Sequence, residues 1–258
     1  MALQTTRAHY DELLYSDIVA EYCGGGDFAN FGYREADDVS ARAASEGLVD
    51  QLVGMLSSRE GTILDVACGK GATTRRLLQH YQPEQITAIN ISAKQLGTAR
   101  DNAAGCGFAV MDAVELGFPS ASFDNVICVE AAFHFKTRER FFGEVLRVLK
   151  PGGQLVLSDV LMAPGAESRR PTFQEENYLP NLTAYEERAL AAGFTEAVTR
   201  DVTLESWQRH FWGMVRFGHQ KLLARELDAE GLRSFLARTY DMARDLEVYL
   251  LASMRKGQ

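Results

Sequence analysis

Two groupings of residues in this sequence have the types and spacing for chemistry. The first is Glu130 and His134 in "VEAAFHFKTRE", an acid and an imidazole four positions apart at the end of an apolar run. An imidazole titrates near neutrality and can take a proton from a hydroxyl, while a neighbouring carboxylate can orient a ligand. The second is residues 63–78, "ILDVACGKGATTRRLL", where Asp65 precedes Gly69 and Gly71 and a helical pattern follows. Glycines let the backbone approach a ligand closely, and the first N–H groups of a helix can bind an anion.

The glycine turn fits neither common phosphate loop. A dinucleotide loop needs a third glycine where this chain has Thr74, and a P-loop needs Ser or Thr where Gly71 follows Lys70. A lone G-x-G is otherwise a tight turn, so its surroundings must identify the ligand.

Those surroundings alternate regularly from residue 61. "TILDVAC" predicts a buried strand and "ATTRRLLQHY" a helix; "QITAINI" predicts a second strand, followed by the helix "SAKQLGTARDNAAG". "GFAVMDA" is a short third strand and "FDNVICVEA" a fourth, leading to the helix "TRERFFGEVLRVL"; "PGG" stops that helix before a fifth strand, "QLVLSDV". Strands apolar on both faces and separated by helices imply a parallel sheet covered on both sides. Further helices are expected over 7–22, 39–57 and 181–192, a strand at "TEAVTRDVT", a mainly helical stretch over 205–245 and a last strand at "EVYLLASMRK".

The expected fold is α/β: a doubly wound, seven-stranded, mostly parallel sheet plus a helical cap. The corresponding division is an N-terminal helical lid segment over 1–58, a cofactor-binding core over 59–204, a helical cap insertion over 205–245, and the last core strand over 246–258. The cap should lie over the C-terminal edge of the sheet, where open α/β sheets bind ligands.

Bulk properties exclude other classes. A net charge of -8 on 258 residues, with only short basic clusters such as Arg169-Arg170, argues against a nucleic-acid partner. No apolar stretch is long enough to span a bilayer, and the first residues lack the basic-then-apolar order of a signal peptide, so a cytoplasmic protein with no membrane partner is expected. Cys23, Cys68, Cys106 and Cys128 have no CxxC spacing and are expected to be reduced; no required metal is expected. Oligomeric state, including a homo-oligomer, is left open.

D-x-x-x-G-x-G after a strand, "INISAKQL", "MDAVELGFPSASFDNVICVEAAFHF" and "VLRVLKPGGQLVLSDV" follow in an order that resembles the class I S-adenosylmethionine-dependent methyltransferases over about residues 60–162. More loosely, "DFANFGY" and the C-terminal ending resemble small-molecule members. The resemblance implies a Rossmann-like sheet with an antiparallel last strand, and S-adenosyl-L-methionine as cofactor. Its carboxylate would sit near residues 69–72, with Ala67, Gly69 and Gly71 lining the turn and Asp65 positioning the ammonium directly or through water. Members usually carry an acid at the end of the second strand to accept from both ribose hydroxyls; this chain has Asn90, with Gln95 as a second contributor. An amide oxygen accepts such bonds without charge assistance. Asp112 would take the adenine amino group and Ala113 N–H the ring, with Ile91 and Leu116 on its apolar faces.

Methyl transfer from a sulfonium needs alignment and exclusion of water, and a hydroxyl acceptor also needs a base. His134 is the candidate, with Glu130 near the cofactor's methionine end or the acceptor. Phosphobase methyltransferases pair a similar acid-x-x-x-His with an N-terminal tyrosine, for which Tyr10 and Tyr15 are the counterparts. Phe28 and Tyr33 are expected to wall the cofactor or acceptor, with the glycines at 24–26 as a lid hinge. Trp207, Phe211 and Trp212, from the aromatic stripe at 205–220, are expected to line the acceptor pocket, and His210 and His219 are reserve bases. The function expected is methyl transfer to a small-molecule acceptor, most directly a natural-product hydroxyl. The alternatives are N- or C-methylation of a small amine or prenyl-like acceptor, and a cofactor-holding protein such as a cyclase.

Overall fold

A computed structural model describes residues 11, 15, 17–25, 27–37, 39–170 and 172–258. Strands β1 (Ile63–Val66), β2 (Ile86–Asn90), β3 (Gly107–Val110), β4 (Phe123–Val129), β5 (Leu149–Met162), β6 (Glu196–Asp201) and β7 (Leu246–Arg255) form one sheet, in the order β3-β2-β1-β4-β5-β7-β6. β1 to β5 pair in parallel, and β7 runs antiparallel between β5 and β6. Helices bounded within the described residues are α1 (Asp17–Tyr22), α2 (Ala41–Gly54), α3 (Ala72–Leu77), α4 (Ala93–Asn102), α5 (Arg138–Val148), α6 (Leu182–Ala192), α7 (Arg209–Leu223) and α8 (Ala229–Asp245).

The central strands are buried on both faces because helices cover both. All four residues of β1 are buried, including Asp65. On one side Phe141, Phe142 and Val145 of α5 and Tyr185 and Ala189 of α6 join a core cluster with Leu64 and Val66. On the other, Leu48, Val49, Leu52 and Val53 of α2 and Leu77 of α3 pack with Ile63 and Ile127. Apolar positions three and four apart on α2 and α5 supply these faces.

Local chemistry sets the helix starts. The Ser92 and Thr137 side chains accept from Gln95 N and Arg140 N, capping α4 and α5 just after strand ends. α6 ends on Gly193 in the left-handed region, φ 112°. β5 begins at Leu149 rather than after "PGG": Leu149 pairs with Phe123, the register shifts, and Gln154 resumes opposite Asn125. Proline and the glycines thus form an irregularity within the strand rather than a break before it. β3 ends at Val110, because residues 111–113 turn away toward the cleft below.

The order reverses between β1 and β4, whose neighbours lie on opposite sides; the C-terminal ends of these strands open a crevice. α7 and α8 occupy the connection from β6 to β7. The glycine run read as a hinge closes α1: Gly24 N and Gly25 N donate to Glu21 O and Ala20 O, with φ 66° and 70°. Among the described residues, no helix is long and apolar enough to cross a membrane.

Candidate active site

A cleft with about 1110 Å³ of empty volume, open solvent at its mouth included, lies at the C-terminal ends of β1, β2 and β4. Its wall brings together Phe28, Ala67, Gly69, Asn90, Ile91 and Gln95 with Asp112, Ala113, Glu130 and His134. These positions span more than a hundred residues of sequence. The parallel sheet brings them together because each follows the C-terminal end of a strand or belongs to the segment that covers those ends.

At one end, Asn90 and Gln95 form a buried amide pair. Asn90 Nδ2 donates to Gln95 Oε1 at 2.7 Å and to Gly69 O at 3.3 Å, and Asn90 Oδ1 accepts from Ile91 N at 2.8 Å. Gln95 Nε2 donates to Asp11 Oδ1 at 2.7 Å, which also accepts from Ser92 Oγ at 2.7 Å. Each amide oxygen retains a second lone pair, so this pair can accept two ligand hydroxyls side by side. Asp11 places a carboxylate one residue removed from the position where Asn90 lacks one. On the opposite wall Asp112 Oδ1 accepts from Val114 N at 3.1 Å, shaping the turn that presents Ala113.

At the glycine turn, Asp65 lies one layer behind the wall, 1% exposed, with Oδ2 accepting from Thr74 Oγ1 at 2.6 Å. Burial raises its pKa to about 7, and the Thr74 hydrogen bond opposes that rise. Thr74, in the third-glycine slot, is therefore the partner that makes a buried aspartate tolerable. Gly71 has φ 82°, and a Cβ there would lie 2.8 Å from Ala99 Cα, so the turn needs glycine to pass α4. The covering segment is anchored here as well: Asp27 pairs with Lys70 Nζ at 2.6 Å and accepts from Asn102 Nδ2 at 2.7 Å. Asn30, on the cleft wall and 8% exposed, has its Oδ1 buried with no partner. An orphaned acceptor beside a helix N-terminus suits a ligand end bearing both ammonium and carboxylate, so these residues fit the amino-acid end of S-adenosylmethionine.

At the β4 end, Glu130 Oε1 accepts from Phe31 N at 2.7 Å and from Tyr249 OH at 2.5 Å. Desolvation raises the Glu130 pKa to about 8, against the pull of those two donors. Its φ of 49°, like the 61° of Ala67, puts a non-glycine residue in the left-handed region on the cleft wall. His134 closes a short turn, Ala132–His134, and its Nδ1 meets Thr172 O at 2.8 Å. A carbonyl only accepts, so Nδ1 carries the hydrogen and Nε2 the lone pair of the neutral ring.

Several expected residues are placed elsewhere. Gly71 shapes the turn from behind the wall, and Leu116 is buried with its N–H on Glu144. Tyr33 packs beside the core, its ring under Arg200, rather than at the cleft. The Tyr15 hydroxyl is committed to α4, 3.0 Å from Thr98 Oγ1, with Lys94 over its ring, so it does not meet His134. Tyr10 lies outside the described residues. Trp207 is buried between the β6–β7 insertion and the N-terminal segment, against Phe31 at 4.9 Å, Phe211 is buried within the insertion against Trp207 and Tyr240, and Trp212 is exposed. An aromatic stripe at helical spacing buries first against its own neighbours, and none of the three reaches the cleft wall. His210 is enclosed by Tyr22, Phe31 and Trp207, and burial lowers its pKa to about 3. His219 is bonded within α7 to Val215 O. Sequence reading missed Asp11, Asp27, Asn30 and Thr74; of these only Thr74, a polar residue in a glycine slot, carried a local signal. Among the described residues no metal-binding cluster is found.

A family model described as "Methyltransferase domain" matches residues 64–157. The 27-O-demethylrifamycin SV methyltransferase of Amycolatopsis mediterranei is 32% identical over 201 residues, 71% of this chain and 74% of that protein. O-methyltransferase cnsE of Penicillium expansum is 35% identical over 163 residues, 59% of this chain but little more than half, 56%, of its own length. In three dimensions the chain is similar to the [4+2]-cyclase SpnF, with a TM-score of 0.76 and 24% identity over 98% of this chain and 96% of that one. That likeness concerns the fold.

Proposed function

The chain belongs to the class I S-adenosylmethionine-dependent methyltransferases acting on small molecules, and from that premise we propose that its acceptor is a hydroxyl of a natural product, deprotonated by His134. The observation that carries this is the His134 Nδ1–Thr172 O contact of 2.8 Å, which leaves Nε2 as the basic nitrogen of a residue on the cleft wall. The names of both curated relatives place their methyl transfer on oxygen, which supports the same choice.

Bound S-adenosylmethionine supplies a methyl group activated by its sulfonium. The chain's residues then hold and align. N–H groups at the start of α3 and the Asn30 amide take the amino-acid end, Asn90 and Gln95 accept from the ribose hydroxyls, and Asp112, Ala113 and Ile91 receive the adenine. Glu130 fastens the covering segment through Phe31 N and so keeps water from the reacting centre. His134 Nε2 takes the acceptor's proton as the new C–O bond forms, avoiding a protonated ether. The N-terminal segment covers this cleft through residues 27–30, and the 205–245 insertion backs that segment through Trp207 against Phe31.

The test is incubation with methyl-labelled S-adenosylmethionine and matched acceptors bearing a hydroxyl, an amine or an activated carbon. Label recovered in an ether supports the proposal. Label on nitrogen or carbon, or cofactor binding with no labelled product from any acceptor, overturns it.

A further inference from the structure

We propose that Asn177 is a positioning residue for His134, fixing both its place on the cleft wall and which ring nitrogen is protonated. The turn that carries His134 is a single short one, closed by His134 N to Ala131 O at 3.0 Å and Phe135 N to Ala132 O at 3.1 Å. Such a turn does not hold its later carbonyls itself. The two flanking His134, Phe133 O and Phe135 O, both accept from Asn177 Nδ2, at 3.1 and 2.7 Å. Asn177 Oδ1 accepts from Arg138 N at 2.8 Å, tying the same amide to the first residue of α5.

Asn177 is itself rigid. It is 2% exposed, and its backbone carbonyl accepts from Arg138 Nη1. Arg138 is bound to Asp159 through Nε at 2.7 Å, and Asp159 Oδ1 accepts from Phe133 N at 3.1 Å. Tyr185 OH donates to Asp159 Oδ2 at 2.8 Å. The turn is thus held from both sides by a buried polar network anchored in β5, α5 and α6, a setting in which a lost donor leaves buried acceptors unmet. Thr172, whose carbonyl binds His134 Nδ1, lies five residues before Asn177 in the same segment. One stretch of chain therefore grips the backbone around His134 and sets its tautomer.

The consequence for turnover rests on His134 being the proton acceptor; the tautomer does not. In protein labelled with 15N-histidine, nuclear magnetic resonance distinguishes the two tautomers, and with five histidines in the chain a His134→Gln variant identifies the signal. Wild type is expected to show hydrogen on Nδ1. In Asn177→Ala the signal should move toward the Nε2–H form that free imidazole side chains favour, with kcat down about 10- to 100-fold and cofactor KM unchanged. Asn177→Asp, which keeps the acceptor for Arg138 N but loses both donors, should behave alike. An Nε2–H signal in wild type, or an unchanged tautomer in either folded variant, overturns the proposal. If His134→Ala retains turnover, the base assignment fails while the tautomer result still stands or falls by itself.

Discussion

Asp11 and Glu130 each put a carboxylate where local sequence would not place its effect. Asp11 accepts from both Gln95 and Ser92, so its charge polarises the amide pair expected to hold the ribose. Asp11→Asn should weaken S-adenosylhomocysteine binding about 10-fold, as loss of a charge-assisted hydrogen bond does. Adding Asn90→Asp, which returns a carboxylate to the end of β2, should recover much of that loss in a calorimetric titration. Glu130 and Asp65 make a pH prediction. Their folded pKa values, about 8 and about 7, lie above the ordinary 4.5 and 3.8 because both are desolvated. The folded state therefore holds these protons more tightly than the unfolded chain does. Their contribution to the stability of the ligand-free protein is full below the ordinary values and is lost as pH rises through about 7 and 8. A bound cation favours the ionised carboxylates, so binding should release protons and tighten between about pH 6 and about pH 8. Titrations in buffers of different ionisation enthalpy measure that release; affinity flat across this range would contradict the assignment.

Elements were readable where the chain repeats its physics. The apolar runs of β1, β2 and β4 and the stripes of α2 and α5 are set by neighbours within a few residues, and their helical or strand period appears directly in the sequence. The start of β5 was not, because Pro151, Gly152 and Gly153 look like a break, and only pairing with β4 keeps Leu149 in the ladder. The glycine turn gave its geometry but not its support: nothing local says that Thr74 would donate to Asp65 or that Gly71 must clear Ala99. Gly71→Ala tests that packing. A Cβ 2.9 Å from Ala99 Cβ at φ 82° should cost about 2 kcal/mol or more, lower the melting temperature by about 4–8 °C, and weaken cofactor binding by displacing the start of α3. A fully stable variant with normal affinity would mean that the turn has room that this geometry denies it.

Across the whole molecule the site is closed by contacts remote in sequence. Gln95 reaches Asp11 across 84 residues, Phe31 reaches Glu130 across 99, and Tyr249 reaches Glu130 across 119. Periodicity carries no information about such pairs, which is why the strand ends that line the cleft were legible and the covering segment's partners were not. The same distance explains the misplaced aromatics. Trp207 and Phe31 meet because the β6–β7 insertion and the N-terminal segment converge over β4, a meeting that neither stripe announces by itself. In the proposed reaction this assembly presents His134 to take a proton from a hydroxyl. His134→Ala, assayed for turnover and for S-adenosylhomocysteine affinity in the same preparation, measures this most directly. The prediction is a fall in kcat of about 10²- to 10⁴-fold with affinity unchanged within about twofold. Near-normal turnover with intact cofactor binding would contradict it.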